Sequence, residues 1–329
     1  MKGYIRYTLK QQRRAMTPQQ RSASRREAMR PYAGFSYPFK YEKQLAGRIS
    51  SIYKKYAVRL LKFVKQRYPR KFAYDSRTDD FATEFEIFLR EIQDEYTAEA
   101  ISGTLQFEFT DVVRRISNFV KRYNEEEVAA YMKELTGVPF YGSAEWWAGI
   151  QKIWIGDAVT RVAGTIAVYY DDVRAMILDA IHNEESYESI VARIMKMDAG
   201  ISEAKANFLA RDLTGKLNGT IERQLQTDLG MGEYFWQTAA DERVRGKPGG
   251  KYPNAMPSHW AMDSVICSWA NPAICSFDYG KTWVPRPAIA PTLHPGMDWQ
   301  CRCRGTPFSL ELLKTLDAEL ERERQNGTI

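Results

Sequence analysis

Apolar and polar positions alternate with a helical period through most of the first 230 residues. Between Glu42 and Tyr68, Leu45, Ile49, Ile52, Tyr56, Leu60 and Phe63 recur every three or four residues. Lys43, Arg48, Lys54, Lys55, Arg59, Lys62 and Lys65 fill the positions between them. This spacing predicts an amphipathic helix that Pro69 ends. A second helix is expected from Thr78 and Asp79, which can cap it, to about Ala100, with Phe81, Phe85, Phe88, Ile92 and Tyr96 as its stripe. Shorter helices are expected at Gln106–Tyr123 and Glu125–Leu135, divided by Asn124 as an N-cap. Ser143 opens a long apolar stretch to Asn183 that Gly156 or Gly164 could interrupt. Helices at Tyr187–Met197 and from Ser202 through Leu229 follow.

The pattern then changes. Tyr234-Phe-Trp-Gln-Thr-Ala reads as a strand, Gly246–Pro257 as a loop and Trp299–Arg304 as a second short strand. Ser309–Arg324 returns to a helical period, carrying Leu310, Leu313, Leu316 and Leu320. The predicted fold class is a mainly α N-terminal region followed by a small α+β C-terminal domain that a metal could stabilise. The expected organisation is a basic flexible arm at 1–40, a helical region at 41–200, an α+β domain at 201–308 and a C-terminal helix at 309–329.

Charge sharpens this picture. The chain of 329 residues has a formal net charge of +6, but it is unevenly distributed. Residues 1–71 carry 20 Lys and Arg against two acids, Glu27 and Glu42, whereas the remainder carries 27 against 39. Arg13, Arg14, Arg21, Arg25, Arg26 and Arg30 lie in a proline-interrupted stretch expected to stay disordered until bound. With Lys54, Lys55, Arg59 and Lys62 on the following helix, they are the candidates for contact with DNA phosphates or an acidic partner surface. The ordinary alternative is a helix whose cations are solvated or pair with the acidic body. Tyr32–Tyr41 alternates aromatics with turn residues, like an extended peptide that docks on a surface.

Several classes are disfavoured. The longest uncharged stretch, Ser264–Phe277, has 14 residues and contains Pro272, too short to span a bilayer. No apolar run follows the first residues, so synthesis and first action in a cytoplasm are expected.

All four cysteines and two of three histidines fall between residues 259 and 303. His259, Cys267, Cys275, His294, Cys301 and Cys303 form a donor set suited to tetrahedral zinc. In a strand, Cys301 and Cys303 would share one face about 7 Å apart. Disulfides Cys267–Cys275 and Cys301–Cys303, or buried apolar thiols, are the alternatives. The Asp241-Glu-Arg-Val-Arg245 block offers Asp241 or Glu242 as a general base, with His259 as acid. It equally suits an ion-pair network anchoring a turn.

The ordered blocks Asp241-Glu-Arg-Val-Arg245, His259-Trp-Ala-Met-Asp263 and His294-Pro-Gly-Met-Asp-Trp-Gln-Cys301-Arg-Cys303 resemble the phage Mu F-like family of head morphogenesis proteins. The resemblance covers about Ser202–Pro307. It departs from the family pattern in the Gly/Pro-rich insertion between Arg245 and His259, and at Ser264, where a glycine is common. It implies a minor capsid protein of a tailed phage in the virion, at the portal vertex or capsid interior, after assembly in the host cytoplasm. Implied partners are the portal protein, a major capsid or scaffold protein, and double-stranded DNA. Implied roles are head assembly and DNA packaging or ejection. The Cys/His set of the family has the look of a metal site. The alternative is an effector enzyme delivered with the genome, using Asp241, Arg243, Arg245 and His259 on a host nucleotide or protein.

Overall fold

The structure, a computed structural model, describes residues 17–29, 31, 34, 36–67, 81, 83–92, 94, 104–136, 139, 145–183 and 185–326. The chain is mainly helical to residue 228: α1 (Pro18–Ala28), α2 (Phe39–Arg67), α3 (Thr104–Thr136), α4 (Trp147–His182) and α5 (Tyr187–Asp228). A helical segment at 83–92 lies between α2 and α3. Strands β1 (Glu233–Gln237), β2 (Ile266–Ser268), β3 (Ile274–Ser276), β4 (Val284–Pro285) and β5 (Arg304–Phe308) follow, and α6 (Leu310–Gln325) closes the described chain.

Two compact units share these elements, interleaved along the chain rather than serial. One draws on residues 40–117 and 151–213, the other on 1–39, 118–150 and 214–329. Nearly all the described residues of the first unit are helical. Leu45, Ile49, Leu60 and Val64 of α2 and Phe85 and Ile92 are buried, and Phe63 stacks on Phe88 with ring centroids 4.0 Å apart. The Arg161 guanidinium pairs with buried Asp212 at 2.7 Å, and the Trp154 indole donates to the Leu213 carbonyl at 2.9 Å.

In the second unit the five strands form one antiparallel sheet in the order β4-β3-β2-β1-β5. Tyr234, Phe235 and Trp236 are all buried, because both faces of β1 are covered. Tyr234 and Trp236 join Cys267, Trp269, Cys275, Met262, Cys301 and Cys303 in one core. Phe235 joins Ile266, Phe308 and Leu313 in another, against which Met29 and Leu310 pack.

Four boundaries differ from the sequence reading. Part of the expected flexible arm is helix α1, which packs on α6; Arg25 pairs with Asp317 there, and Met29 reaches the sheet core. The element that covers this 11-residue helix lies far along the chain, beyond the reach of a local pattern. Asn124 does not cap a helix. It is buried within continuous α3, bonding back to the Val120 carbonyl at 2.8 Å and across to Asn218 at 2.9 Å. Gly156 and Gly164 do not interrupt α4. Both face open space, and the buried stripe Trp154, Ala158, Val162 and Ile166 outweighs their low helix propensity of roughly 1 kcal/mol each. Residues 198–201 likewise continue α5 without a break.

The described residues Ser36 to Phe39 of the aromatic segment dock on this chain. Among its described residues, Tyr37 is buried, Arg302 lies over the Tyr37 and Phe39 rings at 5.7 and 5.0 Å, and Arg304 donates to the Ser36 carbonyl.

Candidate metal centre

Two segments of loop meet beneath β1. The first leaves β1, makes a turn at Asp241–Val244, runs through a Gly/Pro-rich excursion and reaches His259 just before a short 3₁₀ helix, Trp260–Met262. The excursion closes on itself. Gly246 N–H bonds to the Tyr252 carbonyl at 3.0 Å, and Trp260 N–H bonds to the Arg245 carbonyl at 3.1 Å. Arg245 and His259 therefore sit side by side despite the 13 residues between them. Gly246 adopts φ +78°, and a Cβ there would stand 2.0 Å from Ser258 Oγ, so only glycine makes this closure.

The second segment, His294–Cys303, lies against α5. Gly215 and Gly219 occupy successive turns of one helix face. A Cβ on Gly215 would stand 2.3 Å from the Cys301 carbonyl oxygen, and one on Gly219 2.4 Å from that of Pro295. The bare helix surface lets the loop backbone come this close. The expected strand at Trp299–Arg304 begins only at Arg304, because Gln300 turns the chain with φ +52°. Cys301 and Cys303 nonetheless face one point, and Cys303 N–H bonds to Cys301 Sγ at 3.4 Å.

His259, Cys301 and Cys303 are buried, with one donor atom from each within 4.8 Å of the others. His259 Nδ1 lies 3.4 Å from Sγ of Cys301 and 3.4 Å from Sγ of Cys303. Burial alone would raise the Cys301 thiol, but hydrogen bonds from Cys303 and His259, the imidazolium charge and the Gly296 N–H outweigh it and hold it well below its ordinary value. Cys303 is pushed well above by its hydrogen bond to Cys301 and by burial. Burial disfavours the His259 imidazolium, yet Asp298 and Cys301 raise its pKa overall. Two thiols and an imidazole, buried and in mutual contact, fit a thiophilic divalent ion. A tetrahedral zinc site sets such donors about 3.5–3.8 Å apart. These three residues could hold a metal.

The other three candidates lie elsewhere. Cys267 and Cys275 are buried free thiols directly opposite each other across β2 and β3. Burial pushes Cys267 up to about 12 and raises Cys275, so both behave as apolar core groups. The four cysteines form no disulfide. His294 is engaged elsewhere: Nδ1 faces the Tyr234 hydroxyl at 3.1 Å, and the ring also bonds to the Trp269 backbone. Tyr234 in turn accepts from Arg286 at 2.9 Å. Nothing in the spacing of six donors separates the trio from the rest; only the fold does.

Burial, then the charges of Arg223 and Arg286, lowers His294 to about 4 from 6.5. Its folded form is therefore neutral where the unfolded chain takes up a proton. The stability this contributes is present above pH 6.5 and lost as pH falls toward 4. A loss of about 2–3 kcal/mol is expected over that window. Urea midpoints of wild type and His294→Asn should converge as pH falls from 7 to 4; a constant difference would contradict it.

Of the cationic candidates, Lys54, Lys55 and Lys62 are exposed on α2 and Arg59 is half-buried. Arg26 is exposed, while Arg25 is taken up by Asp317. Arg13, Arg14 and Arg30 lie outside the described residues, as does the side chain of Arg21. Asp241 accepts from Arg243 N–H at 2.9 Å and pairs with Arg302 at 3.4 Å, which ties the turn together. No helix among the described residues is long and apolar enough to cross a membrane.

Comparison with known proteins bears on this region. An uncharacterized protein of Haemophilus influenzae is 26% identical over 206 residues, covering 60% of this chain and 40% of that protein. The chain thus spans less than half the length of that relative. No solved structure matches it. Residues 171–306 match the model of the family described as Phage Mu protein F like protein. The part of the chain that carries the glycine face of α5, the sheet and the cysteine–histidine cluster is therefore similar to the phage Mu protein F-like family.

Proposed function

We propose that the protein is a minor capsid, head morphogenesis protein of a tailed phage, associated with the portal and with packaged double-stranded DNA. The match of residues 171–306 to the phage Mu protein F-like family carries this reading. Its place is the virion, at the portal vertex or capsid interior, after assembly in the host cytoplasm. Contacts there are with the portal and with a major capsid or scaffold protein, and the protein acts in packaging or ejection through binding rather than turnover. Zinc at His259, Cys301 and Cys303 belongs to the same reading. When bound, it would cross-link the loop after β1 to the loop before β5.

The exposed face of α2 supports the DNA contact. Lys43, Lys54 and Lys65 are exposed and spaced by three helical turns, with Lys55 and Lys62 beside them and no exposed acid in the helix. Such a row can follow a phosphate backbone. Changing Lys43, Lys54, Lys62 and Lys65 to glutamine should weaken DNA binding and flatten its logarithmic salt dependence by about 3–4. Purified particles should contain the protein. Its absence from particles and from portal complexes would end the capsid reading, and salt-insensitive DNA binding would end the phosphate contact.

A further inference from the structure

We infer that Asp298, held by Arg245, is the positioning residue that turns Nδ1 of His259 toward the cysteine pair. The inference rests on the zinc reading above. The two ring nitrogens of His259 meet different surroundings. Nδ1 faces the two sulfurs, whereas Nε2 lies 3.1 Å from Asp298 Oδ2 and 2.7 Å from Arg245 Nη2.

A neutral imidazole carries one proton, so these contacts compete. With the proton on Nδ1, Nε2 accepts from Arg245 and no lone pair faces the sulfurs. With the proton on Nε2, it is donated to the carboxylate, and the Nδ1 lone pair points between Cys301 and Cys303. Only the second tautomer makes His259 a ligand.

The placement of Asp298 favours the second tautomer. Its Oδ1 accepts from Trp299 N–H at 2.7 Å, leaving Oδ2 for His259. Arg245 donates to the same Oδ2 and so fixes the carboxylate beside the ring. Cys301 N–H bonds to the Asp298 carbonyl at 3.1 Å. One tight turn, Asp298-Trp-Gln-Cys301, thereby fixes both a ligand and the group that orients another. Arg245 is anchored through its carbonyl to Trp260, the residue after His259. The Arg245, His259 and Asp298 blocks of the sequence thus converge on a single imidazole.

The test starts from zinc-loaded full-length protein and measures affinity by competition with a chromophoric chelator. Asp298→Ala should lose affinity about 10–100-fold, while its near-UV circular dichroism in excess zinc matches wild type. Asp298→Asn, whose side-chain carbonyl can still accept from Nε2, should recover part of the loss. Long-range ¹H–¹⁵N correlation on the zinc-loaded wild type should show His259 bound through Nδ1 and protonated at Nε2, a readout that holds even if the variants fold poorly. Unchanged zinc affinity in Asp298→Ala, or ligation through Nε2, overturns the role of Asp298 alone. A wild-type protein that binds no zinc overturns this inference and the metal reading together.

Discussion

Replacing Arg304 with methionine is expected to destabilise the sheet-bearing unit by about 3–5 kcal/mol. The guanidinium is buried and fully committed. Its Nε bonds to Glu222, Nη1 pairs with Glu127 at 2.8 Å and reaches the Ser36 carbonyl, and Nη2 donates to Asn124 Oδ1 at 3.0 Å. Asn124 is tied through Asn218 back to Glu222, and Gly305 N–H bonds to the second Glu222 oxygen at 3.0 Å. One cation at the start of β5 therefore holds α3, α5 and the segment before α2. Burial raises the Glu222 carboxyl even with Arg304 beside it. Without that partner, two carboxylates stay in a dry site and must protonate or draw water inward. Urea denaturation followed by tryptophan fluorescence measures the loss. Adding Glu222→Gln to Arg304→Met should restore part of it, because one orphaned charge is removed. A loss below about 1 kcal/mol would mean the network contributes little beyond packing.

The second large effect concerns zinc. Cys301→Ser and Cys303→Ser are each expected to abolish stoichiometric zinc, whereas Cys267→Ala and Cys275→Ala retain it. The four residues are alike in type and burial, so only their placement predicts the difference. Cys301 and Cys303 face His259, while Cys267 and Cys275 face each other inside the sheet core. Chelation of wild type should lower stability by on the order of 5 kcal/mol or more, since an ion held by these residues would bind the folded loops and not the open chain. For a unit of this size that is a fall in Tm of about 10–20 °C. Elemental analysis and thermal scans with and without chelator make the comparison. Equal zinc loss in Cys267→Ala and Cys301→Ser would show that the ligand set is not the trio.

These two sites differ in how far the chain announces them. A concentration of six cysteine and histidine side chains within residues 259–303 marked the segment where the structure gathers His259, Cys301 and Cys303. It could not divide the six, because Tyr234 and Trp269 withdraw His294, and strand register pairs Cys267 with Cys275. In the sequence, Arg304 is only the last residue of an expected strand, next to Cys303. Its partners lie 82, 177, 180 and 268 residues away, distances over which no local pattern speaks. Asn124 differs from expectation for the same reason: the side chain that caps helices also suits a buried polar node, and the partner decides which.

What the sequence determined by itself was whatever depends on near neighbours. Helical period set the long helices, the aromatic run of Tyr234–Trp236 set a strand, and α6 was recognisable from its leucines. The motif blocks pointed to the family. Tertiary structure decided what depends on contacts between distant segments. It joined helices across glycines and Asn124, turned part of a basic arm into packed α1, and brought three of the six metal candidates together. Burial and hydrogen-bond satisfaction are properties of the assembled surface. The short-range spacing of side chains along one chain segment does not contain them.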